Sequence, residues 1–221
     1  MSAAQQHKPY KGLAMEGWIA RWYARNTGRS LEPIKKEARA IARQLSSSSA
    51  VLEVAPGPGF MAIELAKLGS YRIVGVDISR SFVHIARENA IKAGVEVEFR
   101  EGNAASMPFE SGSFDFIYCR AAFKNFRQPV QALDEMYRVL KAGGKAVIHD
   151  LHRDASSDAI RGAVGEMGLG WFSSLLTRYI LRWLRRRAYS QEDFRQIVGQ
   201  TPFTRNEINC NLIGLEVSPW K

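Results

Sequence analysis

VLEVAPGPGF (51–60), followed by GVDIS (75–79), decides how this chain folds. The first stretch belongs to a compact apolar run, AVLEVA (50–55), that breaks at Pro56-Gly57-Pro58-Gly59. A buried strand opening into a glycine turn and then a helix brings backbone N–H groups close to a ligand. The glycines alone are a weak signal, because they also serve simply to turn a strand tightly into its helix. Asp77 strengthens it. It lies 24 residues after Glu53, at the end of the next strand, where a carboxylate can accept hydrogen bonds from a ribose diol.

Outward from this loop, strands and helices alternate. Upstream, Ile34, Ala38, Ile41, Ala42 and Leu45 recur at helical spacing before a short polar hinge at Ser46–Ser49. Downstream, a helix runs to about Leu68 and YRIVGVD (71–77) forms the second strand. Ser79 stands where an N-cap belongs, and Phe82, Ile85, Ala86, Asn89, Ala90 and Ala93 line one face of the next helix. VEVEF (95–99) and FDFIYC (114–119) are the third and fourth strands. Val130, Leu133, Met136, Tyr137 and Leu140 mark a helix that Gly143-Gly144 stops, and KAVIHD (145–150) is the fifth strand. A helical region then extends to about Gly199. TRNEINCNL (204–212) and GLEVSPW (214–220) follow as an antiparallel hairpin at the sheet's edge, a position that suits Pro219. This alternation predicts an α/β, doubly wound, mostly parallel sheet with helices on both faces.

Composition narrows the function classes. The chain has 221 residues, 46% apolar and 24% charged, the balance of an ordinary globular protein with one core. No run of about 18 apolar residues suggests a transmembrane helix. The start, MSAAQQHKPYKG, lacks the apolar region of a secretory signal, so a cytoplasmic location is expected. Cys119 and Cys210 are too few for a disulfide scaffold or a cysteine zinc site, and no residue spacing suggests a metal. The net charge of +9 is uneven: residues 1–50 hold nine Lys/Arg against three acids, and residues 171–190 hold five Arg and no acid. Such flanks suit an anionic partner, or are simply a solvated basic face.

Two cofactors compete for the loop: a nicotinamide dinucleotide and S-adenosylmethionine. Gly57-Pro58-Gly59-Phe60-Met61-Ala62 fits the looser G-x-G-x-x-A form of a dinucleotide loop. Glu53, however, is suited to a cationic amino-acid group and out of place against a pyrophosphate.

Four motifs in order then resemble the class I S-adenosylmethionine-dependent methyltransferases. VLEVAPGPG is similar to that family's first motif and GVDIS to its second. EGNAASMPFESGSFDFIYC (101–119) resembles the stretch carrying the adenine-contact motif and fourth strand. ALDEMYRVLKAGGKAVIHD (132–150) resembles the following helix, Gly-Gly turn and fifth strand. The likeness covers 50–150, and the closing hairpin fits the family's seven-stranded, Rossmann-like sheet. Within the family, Ala122-Phe123-Lys124-Asn125-Phe126 is similar to a segment of the ubiquinone/menaquinone-biosynthesis C-methyltransferases, with Lys124 where those enzymes carry Arg.

The resemblance implies S-adenosylmethionine as cofactor, S-adenosylhomocysteine as product, and a small, aromatic, quinone-like or lipidic acceptor. It implies that Glu53 meets the cofactor's ammonium, and that Ala55, Gly57 and Gly59 let backbone pass close by. Asp77 would hold the ribose, Ile78 would pack on the adenine, and Asn103 and Ala104 would meet the adenine edge. Arg120 would face cofactor or substrate. Ala55 replaces the loop's first glycine, which is tolerated if its φ is negative. Asn103 replaces the usual Asp. Should the acceptor need to lose a proton, His149 and His152 are candidate bases, with Lys124 and Asn125 across the cleft. The rivals are a nicotinamide-dependent oxidoreductase, a basic RNA-binding or RNA-modifying protein, and a catalytically silent cofactor-binding subunit. Nucleic acid is disfavoured, since charge is its main support.

The flanks are expected to define the substrate. The layout is one domain over 1–221: a helical cap (1–45), a cofactor core (50–150), a helical lid or substrate region (151–200) and the hairpin (203–221). Trp171, Leu175, Tyr179 and Trp183 fall four apart, as do Phe172, Leu176, Ile180 and Leu184, opposed by Ser, Thr and Arg. Three readings of 171–187 stand: a lid closing with residues 10–25 over the acceptor, core packing, or a basic helix on an anionic membrane surface. The first two are preferred over the third.

Overall fold

The computed structural model describes residues 10–11, 15–166, 171–211 and 213–221. The expected cap over 1–9 and 12–14 lies outside them. At the centre is β1 (Ala50–Val54), buried at every position and paired in parallel on both sides. On one side stand β2 (Arg72–Asp77) and β3 (Glu98–Glu101); on the other stand β4 (Phe114–Arg120) and β5 (Leu140–Leu151). β6 (Arg205–Cys210) and β7 (Gly214–Trp220) complete the order β3-β2-β1-β4-β5-β7-β6. β7 runs antiparallel to both its neighbours, β5 and β6, and the other pairings are parallel, giving the Rossmann-like sheet that the alternation predicts.

Two apolar layers flank the sheet. One face packs Ile34, Ala38 and Ile41 of α2 (Glu32–Ala42) with Met61, Ile63 and Leu65 of α3 (Phe60–Ala66). Val83, Ala86 and Ala90 of α4 (Arg80–Ala93) join them. The other face packs Leu133 and Met136 of α5 (Pro129–Val139) with Phe194 and Val198 of α8 (Gln191–Val198). Ser79 caps α4 as expected, its Oγ accepting from Phe82 N at 3.1 Å. Three further helices complete the described chain: α1 (Gly17–Thr27) packs beside α4, and α6 (Ser157–Glu166) packs against α7 (Trp171–Arg185).

The structure corrects three local expectations. β3 begins at Glu98 rather than Val95, because parallel pairing from Val74↔Glu98 to Asp77↔Glu101 sets its register, while Val95 and Val97 pack beneath it. Gly143-Gly144 does not stop α5, which ends at Val139; the glycines lie in a bulge of β5, between Leu140 opposite Phe114 and Lys145 opposite Phe116. Pro219 is not on the edge strand. β7 runs between β5 and β6, and its ladder to β5 skips Ser218 and Pro219, where proline has no N–H to give.

Candidate active site

A cavity of about 610 Å³ opens at the C-terminal ends of β1, β2 and β4. Parallel strands carry their loops to this end, so Glu53, Asp77 and Arg120 arrive together from three strands. Of the residues anticipated from sequence, Glu53, Ala55, Gly57, Asp77, Ile78, Asn103, Ala104, Arg120, Lys124 and Asn125 line it. Gly59, His149 and His152 do not.

The loop geometry separates the roles of its small residues. A Cβ at Gly57, at φ +55°, would meet nothing within 4 Å, so that backbone faces open space. A Cβ at Gly59, at φ +78°, would lie 2.7 Å from Phe99 Cζ and 2.9 Å from Ala86 Cβ. Gly59 therefore serves the packing of α3 against β3 and α4, not the ligand. Ala55 departs from expectation: its φ is +57°, the left-handed region that a Cβ disfavours. Its N–H donates to Val76 O at 2.8 Å, and this bond to β2 holds the turn in that conformation.

Two carboxylates set the electrostatics. Glu53 is 5% exposed and its Oε2 accepts from Ala62 N, in the first turn of α3, at 2.9 Å. Burial raises its pKa to about 8. Asp77 is equally buried; its Oδ2 accepts from Gly57 N at 3.0 Å and its Oδ1 from Ser79 N at 2.9 Å. Burial raises its pKa to about 6 against those two bonds. A buried acid beside an open cavity, its pKa held up by desolvation, gains by pairing with an ammonium group. The anion site at the start of α3 is already taken by Glu53, which disfavours a pyrophosphate there. Asn103 Oδ1 accepts from Ala105 N at 3.0 Å, closing a turn whose residues line the cavity. The donor set fits S-adenosylmethionine: carboxylates for an ammonium and a diol, and an exposed Ile78 for an aromatic ring.

The opposite wall differs from what the sequence suggested. Lys124 is buried, its ammonium bonded to Asp150 Oδ1 at 2.7 Å and to the Ala121 carbonyl. It shapes the wall as half of a buried ion pair rather than as a free donor. Asn125 stands beside it, with its carbonyl taken by Lys11 N at 2.7 Å. His149 lies behind the wall: Glu37 binds its Nδ1 and Glu216 Oε2 lies 2.7 Å from its Nε2. Burial works against the cation, yet the two carboxylates raise the His149 pKa. With both nitrogens donating, no lone pair remains for a general base. His152, expected as a base or a solvated loop residue, is neither. It is 7% exposed, its Nε2 lies 3.2 Å from Asn211 O, and its Nδ1 has no partner among the described residues.

Sequence reasoning missed Glu37, which joins His149 to Arg120 Nε at 2.8 Å and so fixes a cavity-lining guanidinium. Its one signal is being an acid in a strongly basic segment. The segments expected to close over the acceptor are described in part. Trp22 and Tyr23 of α1 and Ile180, Trp183 and Leu184 of α7 line the cavity. Core packing is overturned for the main stripe, since Trp171, Leu175, Tyr179 and Trp183 are all exposed.

Residues 52–148, a little under half of the chain, match the family model described as a methyltransferase domain. The chain is similar to the demethylmenaquinone methyltransferase of Deinococcus radiodurans, 36% identical over 122 residues that cover 55% of this chain and 51% of that one. The chain thus spans about half that relative's length. It is 26% identical over 195 residues to a ubiquinone biosynthesis O-methyltransferase of Xanthomonas oryzae, covering 87% of this chain and 76% of the relative. A proposed S-adenosylmethionine-dependent methyltransferase from Methanococcus maripaludis shares the fold, with TM-score 0.75 and 21% identity over 100% of this chain and 97% of its own.

Proposed function

We propose that this protein transfers a methyl group from S-adenosylmethionine to a small, apolar acceptor of aromatic or quinone-like character. One observation carries the reading: a single cavity joins a buried carboxylate pair, Glu53 and Asp77, to an aromatic mouth made by Trp22, Tyr23 and Trp183. When bound, S-adenosylmethionine supplies an electrophilic methyl group that an acceptor atom takes by in-line displacement. Glu53 and Asp77 fix one reactant by its charged and hydroxyl groups. The aromatic mouth holds the other by its flat apolar surface and keeps water out. Lys124, Asp150 and Arg120 make the wall between them rigid. No base is assigned, which suits an acceptor that enters already ionised.

The relatives' printed names point the same way, towards quinone precursors. Calorimetry separates this reading from its rivals: S-adenosylhomocysteine should bind and NAD(P)H should not. Transfer of labelled methyl from S-adenosylmethionine to a hydroxynaphthoquinone or a catechol then tests the acceptor class. Binding of NAD(P)H without S-adenosylhomocysteine would overturn the assignment.

A further inference from the structure

The rim of the cavity has a chemistry that methyl transfer does not use. α7 turns Leu181 inward onto Ala155, Ile160 and Val164, and Arg185 Nη1 donates to Ala155 O at 2.6 Å. Its other side presents Leu175, Tyr179 and Trp183, which are 62%, 70% and 41% exposed. Arg182 and Arg186, both exposed, accompany them with Arg187, and there is no acid between residues 171 and 190. Arg187 stacks on Trp183, 3.9 Å from the ring centre. α1 repeats the pattern, with Trp18 and Trp22 exposed beside Arg21, Arg25 and Arg29. The two helices border one opening, because Trp22, Ile180 and Trp183 all line the cavity.

We propose that this aromatic and basic rim docks the protein on an anionic phospholipid surface, with the cavity mouth turned to the lipid. Large apolar side chains gain by leaving water, and arginines among them match lipid phosphates. Tryptophan and tyrosine, apolar with one polar tip, are suited to the headgroup boundary. No helix of the described residues is long and apolar enough to cross a membrane, so the contact is interfacial. A second copy meeting this face symmetrically would set arginine against arginine. A nucleic acid would find phosphate partners but no use for Leu175, Leu176 and Ile180. Docking stands on the rim alone; only its purpose, passing an apolar acceptor from bilayer to cavity, rests on the methyl-transfer reading.

The test is sedimentation of the full chain with vesicles of phosphatidylcholine, with and without phosphatidylglycerol, at low and high salt. Binding is expected to the anionic vesicles only, and to fall as salt rises. Arg182→Glu with Arg186→Glu should lower the partition at least about twenty-fold, from about fivefold for each arginine lost. Leu175→Ser with Tyr179→Ser should weaken it while keeping the salt dependence of what remains. Neither pair lines the cavity, so both variants should bind S-adenosylhomocysteine as the parent does; that control reports on the cofactor site and on folding separately from docking. Tryptophan quenching by lipids brominated near the headgroup should accompany binding. Three results would overturn the proposal: equal binding to neutral vesicles, indifference to the arginine reversals, or a vesicle-free dimer that Tyr179→Ser dissolves.

Discussion

Replacing Glu53 with Gln tests the cradle most directly, because the consequence is a number of protons. With a pKa of about 8, the free carboxyl is about nine-tenths protonated at pH 7. An ammonium ligand needs it ionised, so binding at pH 7 should release about 0.9 proton. The sign is fixed: an acid whose pKa is raised when free binds a cation better as pH rises through that pKa. Between pH 6 and 8 the ionised fraction of Glu53 grows about fifty-fold, and that of Asp77, with a pKa of about 6, about twofold. S-adenosylhomocysteine should therefore tighten about a hundredfold over this range in the parent. In Glu53→Gln it should tighten only about twofold. Calorimetry in two buffers of different ionisation enthalpy reads the proton count, and a pH series reads the affinity. A pH-independent Kd in the parent, or the same pH slope in Glu53→Gln, would refute the pairing of this carboxylate with the ligand's ammonium.

Asp77→Ala should weaken S-adenosylhomocysteine by roughly 1.5–3 kcal/mol, the range for hydrogen bonds to a charged group, with the circular dichroism unchanged. Lys124→Met should destabilise the fold by about 3–5 kcal/mol in urea titrations, because it strands Asp150 in a site where both partners are nearly inaccessible. The double change Lys124→Met with Asp150→Asn, which removes the charge but keeps an acceptor for Lys124 N and Leu151 N, should recover part of that loss. Ala55→Gly should raise stability by roughly 0.5–1 kcal/mol, since the backbone at φ +57° suits glycine better than alanine even after glycine's larger unfolded-state entropy. A lower midpoint for that variant would mean the Ala55 methyl is packed more usefully than its torsion costs.

The strand–loop–helix unit was legible because its contacts are local. β1, the turn and α3 are consecutive, and Ser79 caps a helix that starts at the next residue. What stayed hidden was set by distance along the chain or by register. Glu37 reaches His149 across 112 positions, so nothing near His149 announced that its nitrogens were occupied. Lys124 meets Asp150 from a different strand end, and its local sequence looked like a donor aimed at a substrate. Pro219 suggested an edge, but the hairpin could add to the sheet by either of its strands, and β7 is the one that pairs with β5. The positive φ of Ala55 follows from a bond to Val76, a residue that alanine's own preferences do not consult.

The ring of Phe99 gives the loop a hidden dimension. It fills the space left by two absent side chains, since a Cβ on Gly59 would come within 2.7 Å of it and one on Gly75 within 2.6 Å. Three positions far apart in the chain thus share one fixed volume, like three tenants of a single room. A smaller side chain at 99 would leave a void under the ligand loop that a methyl at 75 could partly refill, whereas Gly59 is held as well by its φ of +78° and by Ala86 Cβ at 2.9 Å. The room available at 75 is therefore tied to the size of the ring at 99, and the spacing between the loop and the second strand depends on both.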